Sequence, residues 1–364
     1  MTPSPSTSGV GYRLERIGVV MRPDPTNPDE AEGVLNPGSG RGPDGTLYLL
    51  PRLVAAGNVS RVGLARVLIT DGIPTGVERE GVALAPERSW ERGATNAGTE
   101  DPRVTWIEAL GVHVMTYVAF GPLGPRTAVA TSPDLRTWTR HGPVLYGYDD
   151  ALDLDLNLYP NKDTVFFPEP VIAPDGVESL AVLHRPMWDL EDIRPGQGSR
   201  PPTWLKDPRQ SIWISFVPLA AVHRSLASLA HWQQHRFVAG PQYDFEELKI
   251  GGGPPPLRVP EGWLLLHHGV TGTLGNAFDP TQQRVNYGAG AMILDADEPW
   301  RVLNRTTEPL LAAETAEERQ GIVPNVVFPT AIEEIDGERY VFYGMADSRI
   351  GVARLVHDTG EGLP

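Results

Sequence analysis

Two carboxylates and a guanidinium stand together in Glu100-Asp101-Pro102-Arg103. An aspartic acid held in a partly dry, concave site can keep a proton near neutral pH and hand it to a leaving group. Taken alone, the same four residues also read as a turn before proline. A second set is cationic. Arg52 ends an apolar run, Lys162 lies in Asn161-Lys162-Asp163, His184 opens His184-Arg185-Pro186, and Lys249 precedes Ile250-Gly251-Gly252-Gly253. Singly, each fits a surface or salt-bridge residue. Together, in a chain of 31 basic and 46 acidic residues with net charge −15, they read as a pocket for a phosphate-sized anion. The glycines after Lys249 would let backbone N–H groups approach that anion. A third set suits sugar. Asp347 follows the apolar run Tyr343-Gly344-Met345-Ala346, where a buried carboxylate needs partners, and hydroxyls supply them. Tyr287, His267 and His268 could offer faces or donors there, the two histidines fitting a hydrogen-bonded core or rim equally well.

The elements that must position these residues are strands. The chain carries 39 glycines and 36 prolines among its 364 residues, a turn-dense composition with apolar residues throughout. Short apolar runs recur at Thr46–Leu53, Val112–Phe120, Ser179–His184, Gly262–His268 and Arg339–Gly344. Helix signals are confined to Leu219–Trp232 and Ala312–Gln320. Five proline-bearing phrases open successive segments: Asn36-Pro37-Gly38, Asp101-Pro102-Arg103, Phe167-Pro168-Glu169, Gly253-Pro254-Pro255-Pro256 and Val327-Phe328-Pro329. Their spacing of roughly 65–80 residues predicts an all-β chain folded as a five-bladed β-propeller with a central funnel-shaped active site. A β-sandwich with ordinary turns is the alternative. Residues 30–356 are expected to form this single catalytic domain, after a partly ordered extension over 1–29 and before a tail over 357–364. The Pro-, Gly- and charge-rich piece Met187–Arg209 reads as a surface insertion.

Several chemistries are excluded. Without cysteine there is no disulfide, thiolate nucleophile or zinc–sulfur centre. The acidic balance disfavours nucleic acid and anionic membrane. No run approaches the roughly 18 apolar residues of a membrane span, and the N-terminus lacks the pattern of a signal peptide, so a cytoplasmic protein is expected. Residues 149–155 are acidic but lack the glycine and terminal glutamate of a calcium loop. Gly38–Gly42 has no P-loop lysine, and no metal site is evident. The sequence leaves room for a homo-oligomer.

These motifs together resemble glycoside hydrolase family 130, the β-mannoside phosphorylases and related β-mannosidases. The resemblance runs from about residue 30 to about 355, through Asn36-Pro37-Gly38, Arg52, Glu100 to Arg103, Lys162-Asp163, His184-Arg185-Pro186, Lys249 to Pro256, Tyr287-Gly288-Ala289, Glu318 to Pro329 and Tyr343 to Asp347. It implies a five-bladed propeller and Asp101 as general acid, acting through a mannose hydroxyl. It implies that Asn36, Arg103, Glu318 and Asp347 surround the mannose, and that Arg52, Lys162, His184 and Lys249 bind phosphate. Many family phosphorylases carry Arg-Asn where this chain has Lys162-Asp163. The expected activity is inverting phosphorolysis of a terminal β-mannoside, with inorganic phosphate as co-substrate, no other cofactor, and α-mannose 1-phosphate as product. The alternatives are an inverting β-mannosidase of the same family and a carbohydrate-binding propeller. A hydrolase would need a second carboxylate roughly 6.5–9.5 Å from the acid to activate water, for which Glu318 and Glu169 are the candidates.

Overall fold

The computed structural model describes residues 9–188, 196, 198–275 and 284–358. Five antiparallel sheets, each a four-strand meander from the axis outward, follow one another along the chain. Blade 1 comprises Gly33–Arg41, Leu47–Ala55, Val59–Thr70 and Ile73–Leu84; blade 2 comprises Ala97–Ile107, Val112–Gly121, Gly124–Ser132 and Thr139–Pro143. Blade 3 is Asn161–Phe166, Glu178–Pro186, Ile212–Pro218 and His231–Ala239, and blade 4 is Lys249–Gly252, Gly262–Thr273, Arg284–Leu294 and Val302–Arg305. Blade 5 is built from Val327–Ile335, Glu338–Met345 and Arg349–His357, and its outermost strand is the N-terminal Tyr12–Met21, paired from Tyr12↔His357 onward.

Away from the outermost strands, most residues of each blade are buried on both faces, which is why the inner strands read as nearly unbroken apolar runs. Leu50 and Val62 of blade 1 pack on Val104 and Met115 of blade 2. Val114 and Val129 of blade 2 meet Val182 and Trp213 of blade 3. Leu183 and Ile214 meet Trp263 and Leu265 of blade 4. Leu264 and Ile293 meet Val327 and Val341 of blade 5. Phe342 and Val352 then meet Val34 and Leu49 of blade 1. Five interfaces return to the first sheet, so the circle closes as the five-bladed propeller.

Two expectations are corrected. The propeller begins within the supposed extension over 1–29, because Tyr12 and Leu14 are buried on blade 5 while Arg13 faces solvent. The prolines of blades 3 and 4 do not open their blades. Phe167-Pro168 and Gly253-Pro254 follow the inner strands Asn161–Phe166 and Lys249–Gly252. Elsewhere the prolines lie inside the inner strand, at register shifts between Leu35 and Gly38, Glu100 and Arg103, and Pro329 and Ala331. At a bulge the ladder is interrupted, so a missing N–H costs little. The two helix signals hold the short helices expected of them, Leu219–Arg224 and Ala316–Arg319. Of the Met187–Arg209 insertion, residues 189–195 and 197 lie outside the described residues, as do 359–364 of the tail.

Candidate active site

The bulges explain why Asn and Asp recur. Asn36 (φ 42°), Asp101 (φ 46°) and Asp163 (φ 53°) occupy the bulge of the inner strands of blades 1, 2 and 3. The left-handed region admits Asn and Asp far better than other residues with a β-carbon. The same backbone twist repeats around the axis and gathers three polar side chains.

Asp101 lies among donors. Its Oδ1 accepts from Asn36 Nδ2 at 2.8 Å and from Arg52 Nη1 at 3.1 Å. Burial by itself would raise its carboxyl, but Arg52, Lys162, Arg103 and the Asn36 hydrogen bond hold it below the usual range. Arg52 also donates from Nη2 to Glu100 Oε1 at 2.9 Å and to Asn58 Oδ1 at 3.1 Å, and from Nε to Ser60 Oγ at 2.9 Å. Lys162 approaches Glu100 Oε2 at 3.6 Å and the Phe120 ring at 5.8 Å.

On the far side of the axis, Lys249 places Nζ 5.6 Å from the centre of the Tyr287 ring. No carboxylate of the described residues forms an ion pair with it. Burial, then Arg185, lowers its ammonium to about 7. Tyr287 stacks on His268, which in turn contacts Phe328. Asp163 is paired with Arg185 Nε at 2.5 Å and lies 3.5 Å from His268 Nε2. These partners outweigh burial and hold its carboxyl well below the usual range, so its charge is met within the protein. A β-carbon at Gly251 would collide with Asp163 and His268, and glycine there makes room for the group. Asp347 (φ 49°) comes from the turn after the second strand of blade 5. Burial raises its carboxyl to about 6, with Asp101 and Glu100 adding to the shift and Arg52 and Lys162 opposing it. Among the described residues, no donor hydrogen-bonds its side chain.

Asn36, Arg52, Asp101, Lys162, Lys249, Tyr287 and Asp347 thus come together around one cavity. Five residues behave differently. His184 faces away, into the interface of blades 2 and 3, where Asn161 and Ser215 bond its two ring nitrogens at 3.0 and 2.8 Å. Successive strand residues face opposite sides, so Arg185 reaches the cluster instead. By the same alternation His267 turns to Glu246 at 2.8 Å while His268 joins the site. Glu318 is the third residue of the helix Ala316–Arg319 and folds back to cap it. It accepts from Glu314 N, Thr315 N, Arg16 Nε and Tyr343 OH, and is fully buried. Its lone pairs are committed to this network, so it neither touches sugar nor serves as base. Glu169 is exposed beyond the opposite end of the inner strand from Lys162. Arg103 is 1% exposed and ties Asp101 O to Gly253 O across blades 2 and 4, with Phe328 against its guanidinium. It supports the floor of the site rather than facing a sugar.

Among the described residues, no group of three His, Asp or Glu side chains is arranged to hold a metal ion. The chemistry on offer is one carboxylate amid donors, one carboxylate without a protein partner, and cations with spare N–H groups.

Comparison with known proteins agrees with this reading. The family described as β-1,4-mannooligosaccharide phosphorylase, glycoside hydrolase family 130, matches residues 205–359. A 1,2-β-oligomannan phosphorylase of Thermoanaerobacter sp. is 32% identical over 71% of this chain and 68% of its own. A β-1,2-mannobiose phosphorylase of the same organism is 30% identical over 75% and 69%. In three dimensions, the β-1,2-mannobiose phosphorylase of Listeria innocua superimposes with a TM-score of 0.65 at 20% identity, covering 99% of this chain and 93% of that one. With a five-bladed propeller, the bulge-borne Asn36 and Asp101, and this degree of identity to two of its phosphorylases, the chain belongs to glycoside hydrolase family 130.

Proposed function

We propose that this protein is an inverting β-mannoside phosphorylase. Phosphate attacks the anomeric carbon of a terminal β-mannoside, the bond to the acceptor sugar breaks, and α-mannose 1-phosphate forms. The departing oxygen takes a proton that originates on Asp101 and passes through a mannose hydroxyl. Asn36 and Asp347 hold the mannose, with Tyr287 beside it. Arg52, Lys162, Lys249 and Arg185 receive the phosphate.

The observation that carries this reading is the Lys249 ammonium, half-buried beside Lys162 and Arg185 with no carboxylate in ion-pair contact among the described residues. A desolvated cation that only feels Asp163 and Asp347 at longer range is costly, and an anionic co-substrate supplies the close counter-ion. The relationship to two phosphorylases at 30–32% identity supports the same conclusion. The hydrolase alternative now rests on a different residue. With Glu318 capping a helix and Glu169 outside the site, Asp347 is the carboxylate that could activate water. Running the reaction backwards separates the two. A phosphorylase supplied with α-mannose 1-phosphate and an acceptor sugar releases inorganic phosphate and makes a disaccharide. A hydrolase or a binding propeller does not make the disaccharide, and that result would end the proposal.

A further inference from the structure

Asp101 presents a difficulty for its own role. A general acid must carry a proton when the substrate is bound, yet the protein surrounds this carboxylate with groups that favour its ionised form. Asn36 reaches it from the inner strand of blade 1 and Arg52 from the second strand of that blade. Glu100 and Arg103 flank it on its own strand, Lys162 acts on it from blade 3, Tyr287 feels its charge from blade 4, and Asp347 from blade 5. Of these, the cations are the strongest influence.

The arrangement of Arg52 suggests how the difficulty is removed. A guanidinium has five N–H groups. Nε is used on Ser60, the two of Nη2 on Asn58 and Glu100, and one of Nη1 on Asp101. Among the described residues, no acceptor takes the remaining N–H, which belongs to the nitrogen that also holds Asp101. Lys162 stands 3.6 Å from Glu100, beyond a good hydrogen bond, and is likewise open to a stronger acceptor. An anion bound here competes with Asp101 for the same two cations.

We infer that phosphate arms the acid: by engaging Arg52 and Lys162 it withdraws their charge from Asp101 and allows that carboxylate to take up the proton it will donate. The inference rests on the phosphorylase reading and deepens it. The cycle balances. Phosphate binds and Asp101 gains a proton from solvent. The C1–O bond to the acceptor sugar breaks as a phosphate oxygen bonds to C1. The leaving oxygen takes the proton of the mannose hydroxyl, which is replaced by that of Asp101. Mannose 1-phosphate departs, and the Asp101 carboxylate pairs with Arg52 again. One consequence is discrimination against water. Without phosphate the acid stays ionised, so a water molecule in the site meets no proton donor.

The test is calorimetric titration of the full chain with inorganic phosphate, in buffers of differing protonation enthalpy, at about pH 5.5. There Lys249, at about 7, is already charged, so uptake on phosphate binding cannot be its own. The wild type is expected to take up a substantial fraction of one proton per phosphate, and Asp101→Asn to take up markedly less while still binding phosphate. Protons taken up by phosphate itself, or by Asp347, which at about 6 faces the same Arg52 and Lys162, remain in the Asp101→Asn titration, so the difference between the two titrations reports Asp101. Should Asp101→Asn fold poorly, Arg52→Met serves. It frees Asp101 before phosphate arrives, so phosphate that still binds, held by Lys162 and Lys249, brings a diminished uptake. Equal uptake in wild type and Asp101→Asn, or binding with no uptake in the wild type, overturns the inference and leaves phosphorolysis standing. Absence of any phosphate binding overturns both.

Discussion

Asn36 donates from Nδ2 to Oδ1 of Asp101 over 2.8 Å, joining the bulges of two adjacent inner strands. The contact depends on a third residue. A β-carbon at Gly344, in the second strand of blade 5, would collide with Asn36 Oδ1. Gly344→Ala is therefore expected to push Asn36 off Asp101 and lower kcat/KM by roughly 10–100-fold, the worth of a hydrogen bond to a charged group. Adding Asn36→Ala to that variant should cost little more, since both remove the same contact. Additive losses in steady-state kinetics would show that Gly344 acts by another route.

Asp101→Asn is expected to reduce turnover by about 10²–10⁴-fold, the span of general acid catalysis. The fold should survive, because asparagine also accepts the left-handed backbone at this bulge. Rates on a β-mannoside with phosphate, alongside a thermal melt, check both parts. An unchanged rate removes Asp101 from the mechanism.

The exchange of His184 for Arg185 gives a sharp contrast. Arg185→Lys keeps a charge but loses the planar fork that spans Asp163 and Gln210, and should raise the KM for phosphate by about tenfold. His184→Gln should change that KM by less than about threefold, its effect falling on stability through the bonds to Asn161 and Ser215. The reverse order would restore His184 to the anion site.

This contrast also shows what the sequence carried and what it withheld. The Asn-Pro and Asp-Pro phrases of blades 1 and 2 marked their inner strands, although the bulges that Asn36 and Asp101 form there were not read from them. The choice between His184 and Arg185 had no such signal. Glu178–Pro186 is buried on both faces after its first residue, so no polar alternation sets its phase, and only the packing of blade 3 between its neighbours does. The phase of Gly262–Thr273 was hidden for the same reason, and with it the choice between His267 and His268. Glu318 misled because a helix-capping glutamate and a sugar-binding one look alike in one dimension. Thr315, three residues earlier, was the available clue, since the pair forms a capping box. The N-terminal strand was legible in principle: Tyr12 and Leu14 alternate with Arg13 and Glu15, as an outer strand with one face exposed requires.

Asp347 supplies a prediction about pH. Its folded value of about 6 lies above the ordinary 3.8, so the folded state binds the proton more tightly. Its contribution to stability is complete below about pH 4 and is lost as pH rises through 6, as the half-buried carboxylate ionises. Asp347→Asn removes that loss. The variant should be more stable than wild type at pH 7.5, by on the order of 2 kcal/mol, with the gain fading towards pH 4, while activity falls. Denaturant unfolding at the two pH values checks this. A gain independent of pH would mean that Asp347 does not ionise in this range.

The central claim is that phosphate, not water, takes the mannosyl group. The most direct measurement follows a β-mannooligosaccharide by NMR as it is consumed, with and without inorganic phosphate, and identifies the first product. The account predicts α-mannose 1-phosphate, formed only when phosphate is present. Free mannose released at the same rate without phosphate would contradict it and transfer the second catalytic role to Asp347.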